Sequence, residues 1–83
     1  MERTEVENRV KKVTAEVLGV DEADMKEDSR FVEDLGAESV QSLELVAAFE
    51  DEFDIEMEED AALKVQTVGK AVDFIQKHME EKA

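Results

Sequence analysis

The stretch Leu35-Gly36-Ala37-Glu38-Ser39-Val40 marks the point where a polar, turn-prone run gives way to helical periodicity. Behind it, in QSLELVAAFEDEF from Gln41 to Phe53, Leu43, Val46, Phe49 and Phe53 recur at three- and four-residue steps. That spacing places them on one face of an amphipathic helix running from about Ser39 to Phe53. Ser39 then stands at a helix N-terminus. The first backbone N–H groups there lack partners inside the helix and the macrodipole is positive, so a negative group near the hydroxyl meets donors and a favourable field.

The flanking sequence supplies further helices. Thr4 and Glu7 have the spacing of a capping box, which predicts that a first helix begins near Thr4. Val6, Val10, Val13 and Val17 form its apolar stripe, and Gly19 can take the left-handed turn that ends it near Leu18. From Val20 to Ala37 the chain is rich in Asp and Glu, a long connection for so small a protein, which must therefore be pinned. Met25, Phe31 and Leu35 are spaced as its anchors, and Asp28-Ser29 is a candidate start for a short helical turn. Beyond Asp54 there is room for only a short third helix, near Glu58 to Leu63. A fourth runs from about Val68 to Met79, with Thr67 as N-cap and Val68, Ala71, Val72, Ile75 and Met79 inward. Lys77 and His78 suit its C-terminal end, and Glu80 to Ala83 is expected to fray. The expected fold is all-α, a small four-helix bundle of three main helices and a short third, with a long loop between helices one and two.

With 83 residues the chain is one domain, 1–83, and with no proline, three glycines and few aromatics it suits helices better than sheets. The net charge of -14, from 24 acidic and 10 basic residues, disfavours nucleic acid and anionic membranes as partners and favours a basic protein surface. Self-repulsion at that charge should make the fold more stable in salt or divalent cations. The absence of cysteine excludes disulfides and thiolate chemistry, so any thiol used in function must be brought in. No leader-like apolar run and no stretch of membrane-spanning length is present, which points to a cytoplasmic protein without membrane insertion.

Residues Phe31 to Phe53, FVEDLGAESVQSLELVAAFEDEF, closely resemble the modification-site segment of acyl carrier proteins. Gly36-Ala37-Glu38-Ser39-Val40 stands on that family's Gly-X-Asp-Ser-Leu pattern, and Glu44-Leu45-Val46 on its Glu-Leu-Val. Arg9 to Val13 with Leu18-Gly19-Val20 resembles the family's first helix, and Thr67-Val68-Gly69 through Val72 to Ile75 its last, at matching separations. The resemblance implies that Ser39 bears 4′-phosphopantetheine, added by a phosphopantetheinyl transferase, and that acyl groups ride on the arm as thioesters while the carrier catalyses nothing. It implies a monomer that docks acyl-transfer and chain-elongation enzymes through their basic patches. Glu38, Glu44, Glu50, Asp51, Glu56 and Glu59 are the candidate docking acids. It also implies an acyl pocket between helices two and three, for which the matching positions are Leu43, Phe49, Met57, Ala62, Val65, Val68 and Ala71. Phe49 stands where the family usually has a smaller aliphatic, which suggests short or unusual acyl groups. Glu38 for Asp, Val40 for Leu and Gln41 for an acid depart from the pattern where the transferase reads the protein, so a dedicated or slower transferase is expected.

Other chemistries fit less well. A serine nucleophile needs an adjacent base, yet the sole imidazole, His78, lies near the C-terminus on another helix. An EF-hand loop from Asp51 would put Phe53 and Ile55 on ligand positions, and one from Asp21 would put Ala23 and Met25 there. One histidine and no cysteine argue against zinc, and no metal ligands are assigned. Taken alone, Ser39 could be simply an N-cap. Two alternatives to a carrier of fatty acid, polyketide or lipid synthesis therefore stay open: a peptidyl or aryl carrier of a nonribosomal pathway, and a non-covalent adaptor using its acidic helix-two face.

Overall fold

The periodic segments form helices α1 (Arg3–Leu18), α2 (Ser39–Phe53), α3 (Glu59–Leu63) and α4 (Val68–Lys82), and a 3₁₀ turn covers Glu22–Asp24. The structure, a computed structural model, describes residues 2–82. Among these the fold is all-α, as the sequence predicts, with extended pairing limited to a single isolated bridge between Arg30 and Thr67.

End signals explain most boundaries. Gly19 closes α1 in the left-handed region, at φ 68° and ψ 34°, and its N–H donates to the Ala15 carbonyl. Thr67 Oγ1 accepts the Lys70 N–H at 3.2 Å and so starts α4. Three expectations need correction. The Thr4 capping box does not form: Glu2 is the N-cap, the Val6 N–H reaches the Glu2 carbonyl at 3.1 Å, and Thr4 is already inside the first turn. The helical turn of the long connection lies before Asp28, because the Asp21 carboxylate accepts the Ala23 N–H at 2.9 Å and nucleates Glu22–Asp24. α4 runs past its expected end near Met79 and takes in Glu80 to Lys82 of the tail, as glutamate and lysine are good helix formers and no glycine or proline intervenes. Ala83, the last residue of that expected tail, lies outside the described residues.

α1 packs against both α2 and α4, and α3 against α2. Val6, Val10 and Val13 of α1 meet Leu45, Phe49 and Phe53 of α2 and Val68, Ala71, Val72 and Ile75 of α4 in one core, with Phe31, Ala37 and Ile55 from the connections. Thr14 is buried with the α1 stripe because its hydroxyl donates to the Val10 carbonyl at 2.7 Å, which satisfies the polar group inside the core.

The long connection is fastened as its length demands. Phe31 N–H donates to the Gln66 carbonyl, Val68 N–H to the Ser29 carbonyl and Gly69 N–H to the Glu27 carbonyl, at 3.0, 3.0 and 2.7 Å. At Gly69 a Cβ would sit 2.9 Å from the Glu27 oxygen, so the close crossing of loop and helix requires glycine there. Met25 and Phe31 are buried as anchors, with Leu35 half-buried. Arg3 adds an exposed tie, pairing with Glu27 of the loop and Asp73 of α4.

Candidate functional site

The loop before α2 is knotted on itself, and this holds Ser39 in place. Asp34 and Leu35 N–H groups donate to the Arg30 carbonyl at 2.9 and 3.0 Å, and the Ala37 N–H to the Phe31 carbonyl at 2.8 Å. The Arg30 N–H in turn donates to Asp34 Oδ2 at 2.8 Å. That bond, with lesser help from the Arg30 guanidinium, holds the Asp34 carboxyl below its usual range. Gly36 turns the chain at φ 74°, and buried Ala37 fastens the segment to the core just before the N-cap.

Glu38 is the N-cap, with φ -86° and ψ 167°, and Ser39 is the first helical residue. The Gln41 side chain folds back so that its Oε1 accepts the Glu38 N–H at 2.9 Å. The first backbone bond of α2 runs from the Ser42 N–H to the Glu38 carbonyl at 2.9 Å, so the Ser39 and Val40 N–H groups precede the ladder and point out of the helix end. Ser39 is exposed, and no hydrogen bond within the described residues engages its hydroxyl. The N-cap reading of Ser39 is thus overturned, since Glu38 occupies that position. An exposed alcohol at the positive end of a fifteen-residue helix suits a phosphate ester, whose charge the dipole and free N–H groups stabilise.

The apolar face of α2 differs from the expected stripe. Leu45, Phe49 and Phe53 are buried and Val46 is half-buried, whereas Leu43 is 43% exposed. The packing of α1 and α4 selects the four-residue row Leu45, Phe49, Phe53, which turns Leu43 outward to the side bearing Val40, itself 62% exposed. Leu43 is therefore not a pocket residue. With exposed Ala47 it continues an apolar strip away from Ser39, edged by the exposed acids Glu44 and Asp51.

The other candidate acids divide. Glu38, Glu56 and Glu59 are exposed. Glu50 is half-buried, and its Oε2 accepts the Met57 N–H at 3.1 Å, so this carboxylate braces the α2–α3 connection. Glu52, on the same helix, faces Arg9 at 3.7 Å.

A cavity of about 300 Å³ lies between α2, α3, α4 and the loop residues Arg30 to Glu33. Phe49, Met57, Ala62, Val65 and Ala71 line it as expected, and Leu43 and Val68 do not. Val68 is fully buried in the core because Thr67 and the Ser29 carbonyl hold it at the base of α4. Ser42, Leu45, Val46, Leu63, Phe74 and Ile75 complete the helical walls and were missed by the sequence reading. The spacing of Leu45 to Phe49 and Phe53 was the available signal. The loop wall had none, since it depends on contacts remote in sequence.

His78 is occupied elsewhere: its Nδ1 lies 2.9 Å from the Phe74 carbonyl and its ring centroid 4.5 Å from that of Phe74. Among the described residues no group of three or more His, Asp or Glu side chains is placed to hold a metal ion, and no helix is long and apolar enough to cross a membrane. A family model described as a phosphopantetheine attachment site matches residues 8–75, which includes all of the loop, α2, α3 and the cavity walls.

Proposed function

The chain belongs to the phosphopantetheine attachment-site family, and on that premise we propose that Ser39 carries the 4′-phosphopantetheine arm of an acyl carrier protein. The arm supplies a thiol that the chain itself lacks, and acyl groups held on it as thioesters pass between enzymes of fatty acid, polyketide or specialised lipid synthesis. The carrier performs no catalytic step. The observation that carries this reading is the exposed, unengaged Ser39 hydroxyl at the first position of α2.

What surrounds that hydroxyl supports the rest of the proposal. The strip Val40, Leu43 and Ala47, edged by Glu44 and Asp51, offers a partner enzyme an apolar centre and an acidic rim, with Glu38, Glu56 and Glu59 extending the charge. Exposed ion pairs are each worth only about 0.2–1 kcal/mol, so docking is distributed over several acids and weakened by salt. Glu50 contributes through the α2–α3 connection that it braces. The cavity of about 300 Å³, partly filled by Phe49, is the shelter for cargo. At the roughly 30 Å³ of a water-sized group it admits on the order of ten methylene-sized units, which sets an upper bound on the acyl chain it can shelter.

Incubation with coenzyme A and a promiscuous phosphopantetheinyl transferase tests the assignment by intact mass. We expect the protein to gain the mass of one phosphopantetheine and Ser39→Ala to gain none. An unmodified wild-type protein, or an adduct that survives Ser39→Ala, overturns it.

A further inference from the structure

The chain has four phenylalanines and neither tyrosine nor tryptophan, and three of the four, Phe31, Phe49 and Phe74, line the cavity. They come from the connection before α2, from α2 and from α4, so folding gathers most of the aromatic surface of the protein in one place. Phe53, the fourth, is buried in the core and takes no part in the lining.

Each ring is fixed by its own element. The Phe31 N–H donates to the Gln66 carbonyl at 3.0 Å and the Phe31 carbonyl accepts the Ala37 N–H at 2.8 Å, which pins that residue on both sides. Phe49 is buried in the core row of α2. Phe74 is half-buried, and its ring centroid lies 4.5 Å from that of His78, with the planes tilted by 35°. Among the described residues none of the three cavity rings is in ring contact with another. What they present to the cavity is therefore not already taken up by an aromatic partner. Met57, half-buried in the same lining, adds a thioether, a group that packs favourably at the edge of a ring.

Building on the carrier reading, we propose that this cavity selects acyl chains that end in an aromatic ring, with Phe49 and Phe74 as its specificity-determining residues. An alkyl chain gains only burial, which follows the apolar area removed from water. By that measure a saturated ring outranks an aromatic ring of the same carbon count, because its extra hydrogens enlarge its surface. An aromatic ring also gains edge-to-face or offset contact with each phenyl ring it meets, through their quadrupoles, and this reverses the order. Size permits it, since an apolar cavity of about 150 Å³ already takes a benzene ring and this one is about 300 Å³. Phe49 stands ten residues along α2 from Ser39, a rise of about 15 Å, so a chain tethered at Ser39 meets it with its far end.

The test loads the phosphopantetheinylated protein with 4-phenylbutanoyl and 4-cyclohexylbutanoyl groups, which share carbon count and shape and differ only in the aromaticity of the ring. It reads thioester protection against hydroxylamine, together with nuclear Overhauser contacts from the cargo ring to the rings of Phe49 and Phe74. We expect the phenyl chain to be protected about 2- to 10-fold more than the cyclohexyl chain, the range of one or two ring contacts, and its ring to show both sets of contacts. Phe49→Leu and Phe74→Leu each keep an apolar side chain while removing a ring, and each should lower the phenyl-to-cyclohexyl ratio, with the half-buried Phe74 site the milder test of folding. Protection of the cyclohexyl chain equal to or above that of the phenyl chain in the wild type overturns the proposal, as does a ratio unchanged in Phe74→Leu or a bound phenyl ring without contact to either phenylalanine. Failure to load Ser39 at all would instead overturn the carrier reading, and the proposal with it.

Discussion

Replacing Leu45 and Leu43 separately by alanine compares two leucines of one helix, two positions apart, whose surroundings differ completely. Leu45 is 3% exposed and Leu43 is 43% exposed. Truncating a buried leucine removes its transfer free energy and leaves a void, which together amount to about 2–5 kcal/mol. Leu45 also borders the cavity, so one side of it already lacks packing partners, and its loss belongs at the lower end, about 2–3 kcal/mol. Leu43→Ala opens no void because water fills the space, and alanine is the better helix former, so its loss should not exceed about 1 kcal/mol. For a domain of this size the folded state is worth about 4–12 kcal/mol in all, and each kcal/mol moves the melting temperature by roughly 4–8 °C. Thermal and urea unfolding followed by circular dichroism should therefore show Leu45→Ala melting roughly 10–25 °C below wild type and Leu43→Ala within a few degrees of it. Equal losses, or a larger loss for Leu43→Ala, would refute the assignment of Leu45 to the core and Leu43 to the outer strip.

Gly69→Ala should lower stability by about 1 kcal/mol in urea unfolding, because the new Cβ meets the Glu27 carbonyl that Gly69 N–H needs; a gain of the roughly 1 kcal/mol usual for glycine-to-alanine changes in a helix would contradict that contact. The Asp34 carboxyl titrates below its ordinary 3.8 in the folded state, so its contribution to stability is full above that pH and fades as pH falls through the depressed value. Carbon shifts of Asp34 should follow this low titration, and Asp34→Asn should flatten the acid limb of the stability profile; a midpoint at or above the ordinary value would exclude the Arg30 bond. Sodium chloride and magnesium should both raise the melting temperature, since screening relieves a net charge of -14 more than it weakens the exposed ion pairs of Arg3, Arg9 and Arg30. Melts unchanged across added salt would show that the charges are already balanced locally.

Local chemistry made the helices legible before any coordinates. Gly19 past a valine stripe, Thr67 ahead of another and the change of pattern at Ser39 each mark an end within a few residues, because caps and left-handed turns are built from neighbours in the chain. The same locality placed Ser39 at the start of α2. It misled at Thr4, where Thr4 and Glu7 had the right spacing but the helix began earlier, and at Asp28, where Asp21 was the better nucleus for the turn.

What the chain could determine by itself was therefore the number of helices, the place of Ser39 at a helix end and the acidic character of the whole surface. Tertiary packing alone decided which way α2 faces: two apolar rows were available along it, and only the core shared with α1 and α4 buries Leu45 and leaves Leu43 to solvent. It also decided the cavity, since Arg30 to Glu33 become a wall through the Phe31 and Val68 bonds to residues far along the sequence. Hydrophobic burial depends on the sum of neighbours, and those neighbours exist only once the chain has closed on itself.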